Sequence, residues 1–238
     1  MPYNRLTGNE RVLDPACGSG IFLVGAFRRL VNVWWSRNNW QCPDVGTLKR
    51  ILKESIYGFE LEAGAIDLTA FSLNLAICDA LQPDVIWSDL KFDRLRESNL
   101  FGVDFFSAVI EPETREFNLC KEGFDTIIGN PPFESKLSPA GKQANRIAKR
   151  HNPERGGLPD KQVAYLFLGQ ALNLLRLDGQ IFLIQPSGLL YNDKTENFFR
   201  NAIARKYRIK AIPNFTSIRN LYEADPKTIA ILSRREDS

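Results

Sequence analysis

The chain has 238 residues, of which 44% are hydrophobic and 25% are charged, enough for one well-cored α/β domain. No apolar run reaches the roughly 20 residues that a membrane-spanning helix needs, and no signal peptide begins the chain, so the sequence predicts a cytoplasmic protein. Four separated cysteines and one histidine, His151, argue against a zinc site, disulfides and histidine-based catalysis. The net charge of +3 is too small to indicate a nucleic-acid partner by itself.

The first predicted unit is a strand, a glycine turn and a helix. Val12 begins the strand, the string Asp-Pro-Ala-Cys-Gly-Ser-Gly follows at residues 14–20, and apolar residues then recur at helical spacing. This order opens nucleotide-binding βα units, in which glycines let the backbone approach a ligand closely. The string lacks the G-x-G-x-x-G spacing that suits a pyrophosphate. Asp14, at the end of the strand, is placed to take a cationic or hydrogen-bond-donating group.

Two further predicted strands end in acidic residues. Residues 56–60 form the second strand, and in doubly wound folds the acid at its end accepts hydrogen bonds from ribose hydroxyls, which makes Glu60 a ribose ligand. The alternative is that Glu60 only supplies negative charge near the start of the next helix. Residues 100–104 form the third strand, which places Asp104 near the adenine of a bound nucleoside, with Asp89 as the competing candidate.

The fourth predicted strand, residues 124–128, runs through a glycine into the tetrapeptide Asn130-Pro131-Pro132-Phe133. Two successive prolines fix two φ angles and remove two N–H donors, so neither a strand nor a helix continues through them. The turn presents the Asn130 carboxamide, the Pro131 carbonyl and the face of Phe133, which together suit a flat ring that bears an amino group. The alternative is an ordinary loop after a proline-stopped strand, with Phe133 packed in the core.

The segment from about residue 134 to 158 is predicted to be a basic loop. Between residues 136 and 155 it carries six Lys or Arg residues and one acid, Glu154. A basic loop beside a candidate active site suits a phosphate backbone, and a merely solvated loop is the alternative. His151 is interpreted as a solvated loop residue. The candidate backbone contacts are Lys136, Lys142, Arg146, Lys149 and Arg150.

The remaining chain continues the alternation of helices and strands. Its predicted elements are a helix that starts at Pro159-Asp160-Lys161 and is stopped by Asp178-Gly179, a strand at 180–185, a helix at 195–206, and strands at 209–215 and 227–233. The pattern predicts an α/β fold, Rossmann-like and doubly wound, with a mostly parallel seven-stranded sheet and helices on both faces.

The two motifs together resemble those of S-adenosylmethionine-dependent DNA adenine N(6)-methyltransferases of the restriction–modification or phage-defence type. The resemblance covers roughly residues 11 to 233. It implies S-adenosyl-L-methionine as the cofactor, DNA as the partner and no metal, in a single catalytic domain over residues 1–238. The cofactor-binding residues that it implies are Asp14, Pro15, Ala16, Cys17, Gly18, Gly20, Glu60 and Asp104.

The resemblance also implies how the chain would act on adenine. The Asn130 side-chain oxygen and the Pro131 carbonyl accept the two amino hydrogens of a flipped base, Phe133 stacks on its ring, and Pro132 completes the catalytic motif. Tyr222, in the last predicted hairpin, corresponds to a second aromatic residue against the target base, with a surface turn tyrosine as the alternative.

Two features depart from the family pattern. Only thirteen residues precede Asp14, where the family has a further cofactor-contacting segment, and the chain ends at Ser238 with the target-recognition domain absent. The expectation is an excised catalytic core whose partners include further domains or a specificity subunit. The rival functions are methyl transfer to an RNA base or to a protein glutamine, whose planar amide fits the same tetrapeptide, and a non-catalytic cofactor-binding subunit of a larger complex.

Overall fold

The computed structural model describes residues 6–111, 119–215 and 228–234. The backbone contacts form two compact units, Met1–Val103 and Asp104–Ser238. Each unit has its own strands, helices and buried core, and the organisation of the chain as a single domain stays a prediction. Within the described ranges, no helix is long and apolar enough to cross a membrane.

The first unit is built on three parallel strands in the order β3-β2-β1. These strands are β1 (Val12–Asp14), β2 (Ile56–Phe59) and β3 (Leu100–Phe101). Every residue of the three strands is buried, which explains why they appear in the sequence as short apolar runs without alternation. The helices are α1 (Ile21–Arg37), α2 (Val45–Ser55), α3 (Ala63–Cys78) and α4 (Pro83–Ser88).

The core of this unit fixes the ends of the strands. α1 buries Leu23, Phe27 and Leu30, which recur every three or four residues, and it packs against β1, β2 and α3. Asn99 is 2% exposed, and its amide nitrogen donates to the carbonyl oxygens of Lys53 and Ile56, both at 2.8 Å. These hydrogen bonds stabilise the junction between α2 and β2.

The second unit carries four strands in the order β4-β5-β7-β6. They are β4 (Phe124–Gly129), β5 (Leu175–Pro186), β6 (Arg208–Ala211) and β7 (Thr228–Arg234). β4 and β5 are parallel, whereas β7 runs antiparallel to both β5 and β6. The helices are α5 (Phe105–Ile110), α6 (Leu119–Glu122), α7 (Pro139–His151), α8 (Val163–Leu172), α9 (Gly188–Tyr191) and α10 (Glu196–Phe198), and a π-helical turn at Phe199–Ala204 continues α10.

α8 forms the centre of this unit. Its residues are apolar almost all round, and all of them except Gly169 are buried, as expected for a helix inside a core. Phe167 of α8 packs its ring 5.3 Å from that of Phe105 and 4.6 Å from that of Phe106, centroid to centroid. The predicted α/β class and the mostly parallel pairing of strands are therefore confirmed.

Both predicted ends of the helix before β5 are wrong. The helix starts at Val163, because the predicted start is a 3-10 turn in which Asp160 has a left-handed φ of 48°. It ends at Leu172, and the predicted stop at Asp178-Gly179 lies inside β5. Asp178 has a φ of 63°, and the pairing of β5 with β4 is irregular just before residue 180. The acidic and glycine residues thus mark a kink within a strand, not the end of a helix.

Candidate active site

The end of β1 holds a buried carboxylate. Asp14 is 0% exposed; its Oδ1 accepts a hydrogen bond from Ala16 N–H at 3.0 Å, whereas its Oδ2 has no hydrogen-bond partner. Burial raises the pKa of Asp14 to about 7, against a smaller lowering by the Ala16 hydrogen bond, and the negative charge of Glu60 raises it further. A buried oxygen without a partner is costly, so this position suits a ligand that donates a hydrogen bond or carries positive charge.

The glycine turn after β1 is bonded to Glu60. Gly18 N–H donates to Glu60 Oε2 at 2.9 Å, and Glu62 N–H donates to Glu60 Oε1 at 3.0 Å. Because each carboxylate oxygen has two lone pairs, both oxygens of Glu60 keep acceptor capacity for hydroxyl groups. The structure therefore brings three of the predicted cofactor residues, Asp14, Gly18 and Glu60, together at one site.

Cys17 has a structural part in this turn. Its N–H donates to the carbonyl oxygen of Phe59, at the end of β2, at 2.9 Å. The thiol is buried, and burial, with a smaller effect from the charge of Asp14, raises its pKa to about 12. A thiol with so high a pKa is a packing group and not a nucleophile. Of the two preceding residues, Pro15 is buried and Ala16 is half-buried.

Thr69 on α3 is a site residue that sequence analysis missed. Its hydroxyl donates to the carbonyl oxygen of Gly18 at 2.6 Å, and its oxygen lies 3.8 Å from Cys17 Sγ. Gly20 has a φ of 84°, and a Cβ atom there would lie 2.8 Å from Thr69 Cγ2. Thr69 thus holds both glycines of the turn. No local pattern around Thr69 marks this role, because the turn precedes it by about fifty residues.

The pKa of Asp14 predicts a pH dependence of stability. Because its folded value of about 7 lies above the ordinary value of 3.8, the neutral carboxyl is the form that the fold favours. The stability that the neutral Asp14 carboxyl contributes to the free energy of unfolding is fully present below pH 3.8 and is lost as the pH rises through 7. We expect the free energy of unfolding of Asp14→Asn, measured in urea between these two pH values, to fall less steeply with pH than that of the unmodified chain. Parallel stability curves for the two proteins would contradict the assignment.

In the second unit, the Asn-Pro-Pro-Phe tetrapeptide leaves the end of β4 without regular secondary structure. Exposure differs along it: Asn130 and Pro132 are exposed, Phe133 is half-buried and Pro131 is buried. The next residue is anchored, because Val163 N–H at the start of α8 donates to the carbonyl oxygen of Glu134 at 2.8 Å. The Asn130 carboxamide is therefore accessible on a segment that is held on both sides, and Phe133 is not enclosed in the core.

The prediction that Asp104 ends the third strand is wrong. β3 stops at Phe101, so Asp104 lies beyond it. It is the N-cap residue of α5, where its carboxylate accepts a hydrogen bond from Phe106 N–H at 2.9 Å. Asp104 belongs to the second unit. The competing residue, Asp89, is exposed at the C-terminal end of α4 in the first unit. A contact between Asp104 and adenine stays a prediction.

The predicted basic loop is mostly a helix. α7 occupies residues 139–151, with Pro139 in its first turn and Ser138 as its N-cap, whose hydroxyl accepts a hydrogen bond from Gly141 N–H at 2.9 Å. His151 is its last residue and is exposed. Sequence analysis missed the helix because only Gly141 and Ala144 of it are buried, so its apolar periodicity is weak.

The exposed cations of α7 share one face. They recur at spacings of four, three and one residues, which places them within about a third of the helix circumference, away from the buried Gly141 and Ala144. No ion pair among the described residues involves them. We call this surface the basic face of α7; it consists of Lys142, Arg146, Lys149 and Arg150, and the exposed Lys136 precedes it.

Two further sequence predictions concern Tyr222 and metal binding. Tyr222 lies outside the described residues, so its contact with a target base stays a prediction. Among the residues that the structure describes, no group of three or more His, Cys, Asp or Glu side chains is arranged to hold a metal ion.

The chain is similar in sequence to known methylases. A sequence model of the family described as Eco57I restriction-modification methylase matches residues 54–221. The chain is 25% identical over 229 residues to the type II restriction enzyme and methyltransferase RM.Eco57I of Escherichia coli, covering 86% of this chain and 22% of that protein. It is 36% identical over 173 residues to the adenine-specific methyltransferase PglX of Streptomyces coelicolor, covering 62% of this chain and 14% of that protein. The chain thus spans less than a quarter of either relative.

Solved structures share the fold. A nuclease-deletion mutant of the type ISP restriction-modification enzyme LlaGI, in complex with a DNA substrate mimic, matches with a TM-score of 0.72 at 14% identity, over 99% of this chain and 21% of that one. The EcoKI M protein of a type I restriction enzyme matches with a TM-score of 0.58 at 19% identity, over 96% and 40%. At these identities the likeness establishes the fold alone.

Proposed function

Since the chain belongs to the Eco57I restriction-modification methylase family, we propose that it transfers a methyl group from S-adenosyl-L-methionine to the exocyclic amino group of adenine in DNA. It does so as the catalytic part of a restriction–modification or phage-defence system. The observation that carries the proposal is the accessible Asn130 carboxamide on a segment held by β4 on one side and by the hydrogen bond between Glu134 and Val163 on the other. PglX, which is 36% identical to this chain over 173 residues, is an adenine-specific methyltransferase.

The first unit supplies the residues that suit the cofactor. The Oδ2 of Asp14, which has no partner in the structure, would accept a hydrogen bond from the cationic amino group of S-adenosylmethionine. This contact would also favour the ionised form of the carboxylate. Glu60 accepts hydrogen bonds from the ribose hydroxyls, and the turn from Gly18 to Gly20 allows close approach of the ligand. When bound, the cofactor supplies a methyl group activated by a sulfonium. Asp104 is proposed to contact the adenine of the cofactor, not the target base.

The tetrapeptide suits the target base. The amino nitrogen of adenine is a poor nucleophile because its lone pair is delocalised into the ring. Asn130 Oδ1 and the Pro131 carbonyl accept hydrogen bonds from the two amino hydrogens, which raises the electron density on nitrogen and orients its lone pair. The proton that the nitrogen loses on methylation passes to solvent, to which Asn130 is exposed. The half-buried ring of Phe133 stacks on the base once it has left the duplex. The chain therefore acts by positioning and electrostatics and needs no strong general base.

A mixed-substrate assay tests the proposal against its rivals. The chain is incubated with trideuteromethyl S-adenosylmethionine, duplex DNA, RNA and a glutamine-containing peptide, and the digested products are analysed by mass spectrometry. We expect the label on the amino group of deoxyadenosine. Label on an RNA nucleoside or on glutamine instead would assign the activity to the corresponding rival class. Cofactor binding without any labelled product would favour the non-catalytic subunit.

We also propose that the basic face of α7 contacts the DNA phosphate backbone. Each lost phosphate contact lowers the slope of log affinity against log salt by about 0.9, so Lys142→Gln with Lys149→Gln is expected to lower it by about 1.8. The loss of DNA affinity should be equal for unrelated DNA sequences, because phosphate contacts do not depend on the base sequence. The charge-matched control is Lys53→Gln with Lys91→Gln, two exposed lysines of the first unit. Equal slopes for the two double variants would contradict this role.

A further inference from the structure

A polar cavity of about 270 Å³ lies within the second unit, where the end of α7 faces α8. The polar residues that line it are His151, Asn152, Arg155, Gln170, Asn173 and Lys206, and none of the described lining residues is acidic. At about 30 Å³ for each water molecule, the cavity has the volume of roughly nine waters, which accommodates a phosphate group with some solvent. It is small for a drug-sized ligand.

Arg155 is the buried member of this lining. It is 4% exposed, and its Nη2 donates to the backbone carbonyl oxygen of Asn145 at 3.0 Å and also to the Asn145 side chain. Its guanidinium lies 5.6 Å from the ring centroid of Phe198, while its Nε has no hydrogen-bond partner. The neighbouring Glu154 is paired with Arg205 at 3.0 Å, and the ion pairs of the described residues leave Arg155 without a carboxylate.

Among the described residues, this environment leaves the buried positive charge of Arg155 without a counter-charge. Burial lowers the pKa of Arg155, but an arginine stays protonated in proteins, so the charge persists. A buried charge is costly unless an opposite charge or several hydrogen bonds compensate it, and here neutral acceptors and one aromatic face do so only in part. An anion that reaches the free Nε–H would supply the missing partner.

The rest of the lining favours the same kind of ligand. Two of the lining residues, Lys206 and His151, carry basic side chains and are exposed, whereas Gln170 is 6% exposed. The C-terminal end of α7 contributes about half a negative charge, which the basic side chains outweigh. We propose that this cavity binds a phosphate group through Arg155, Lys206 and His151. The group comes either from a nucleic-acid strand or from a free phosphate-bearing molecule.

Thermal unfolding tests the site with inorganic phosphate alone, in the absence of cofactor and DNA. At millimolar concentrations and matched ionic strength, where the general stabilisation of folded proteins by phosphate is small, we expect sodium phosphate to raise the Tm of the chain above its value in sodium chloride, increasingly with concentration. The double variant His151→Gln with Lys206→Gln, at two exposed positions, should lose this difference, and the control Lys91→Gln should keep it. Arg155→Lys retains the positive charge but not the planar set of guanidinium donors. The difference between its Tm in phosphate and its Tm in chloride should therefore be smaller than that of the unmodified chain.

DNA binding distinguishes the two sources of phosphate. If the group belongs to a DNA strand, the double variant should lower the slope of log affinity against log salt by about 0.9, whereas an unchanged slope would assign the cavity to a free phosphate compound. The proposal is overturned if phosphate and chloride give the same Tm for the unmodified chain, or if the double variant keeps the phosphate-dependent rise. Because the thermal measurement needs no methyl transfer, this outcome is independent of the proposed activity.

Discussion

Replacing Asn130 by alanine is expected to lower the rate of methyl transfer by about two to three orders of magnitude, the loss typical when a group that stabilises developing charge is removed. The Asn130 side chain is exposed, so its removal should change the free energy of unfolding by no more than about 0.5 kcal/mol. Affinity for S-adenosylmethionine should also persist, because the residues proposed to bind it lie elsewhere in the sequence. Single-turnover transfer of a labelled methyl group measures the rate, and calorimetric titration measures the affinity.

The matched control is Asn197→Ala, which removes an exposed carboxamide from α10 of the same unit. This variant should transfer methyl groups at the rate of the unmodified chain. A loss of cofactor affinity in Asn130→Ala as large as its loss of rate would refute the role of Asn130 as a ligand of the target base. An unchanged rate would do the same.

Gly20→Ala is expected to damage the first unit more than Gly18→Ala. Both glycines have a positive φ, 84° and 53°, which costs an alanine about 1–2 kcal/mol. At Gly20 the new Cβ would also lie 2.8 Å from Thr69 Cγ2 and 3.2 Å from Thr69 Cα, whereas at Gly18 no atom lies within 4 Å. We therefore expect Gly20→Ala to lose at least about 1 kcal/mol more stability than Gly18→Ala in urea unfolding, because overpacking adds to the strain.

A second substitution separates the steric effect from the strain. Thr69→Ser removes the Cγ2 atom and keeps the hydroxyl that donates to Gly18. Added to Gly20→Ala, it should restore part of the lost stability, and added to Gly18→Ala, it should not. Equal stability of the two single glycine variants would show that the contact with Thr69 does not constrain the turn.

The parts of the site that sequence predicts are those with a local cause. Asp14 and Glu60 each follow a short apolar run, and such runs become buried parallel strands whose ends meet at one edge of the sheet. The hydrogen bond from Gly18 to Glu60 confirms that the two strand ends meet. The prolines after Asn130 stop a strand by their covalent structure, whatever the rest of the chain does.

The parts that sequence did not predict depend on contacts between distant residues. Thr69 holds the glycine turn from a helix that begins more than forty residues later, and a threonine within a helix has no signature of such a role. Asp104 looks like the end of a strand until its hydrogen bond to Phe106 shows that it caps a helix. α7 is stabilised by its Ser138 cap and passes close to Phe106 at Gly141, where a Cβ atom would lie 3.2 Å from Phe106 Cδ2. Apolar periodicity reveals neither feature.

The most direct test of the proposed methyltransferase is a calorimetric titration of the chain with S-adenosylmethionine and with S-adenosylhomocysteine, beside the Asp14→Asn variant. We predict that both ligands bind to the unmodified chain at one site. The variant, shown to be folded by circular dichroism, should lose most of its affinity for both ligands, because the partnerless Oδ2 of Asp14 is its proposed contact with the amino group. Absence of binding to the folded chain, or equal binding to the variant, would contradict the proposal.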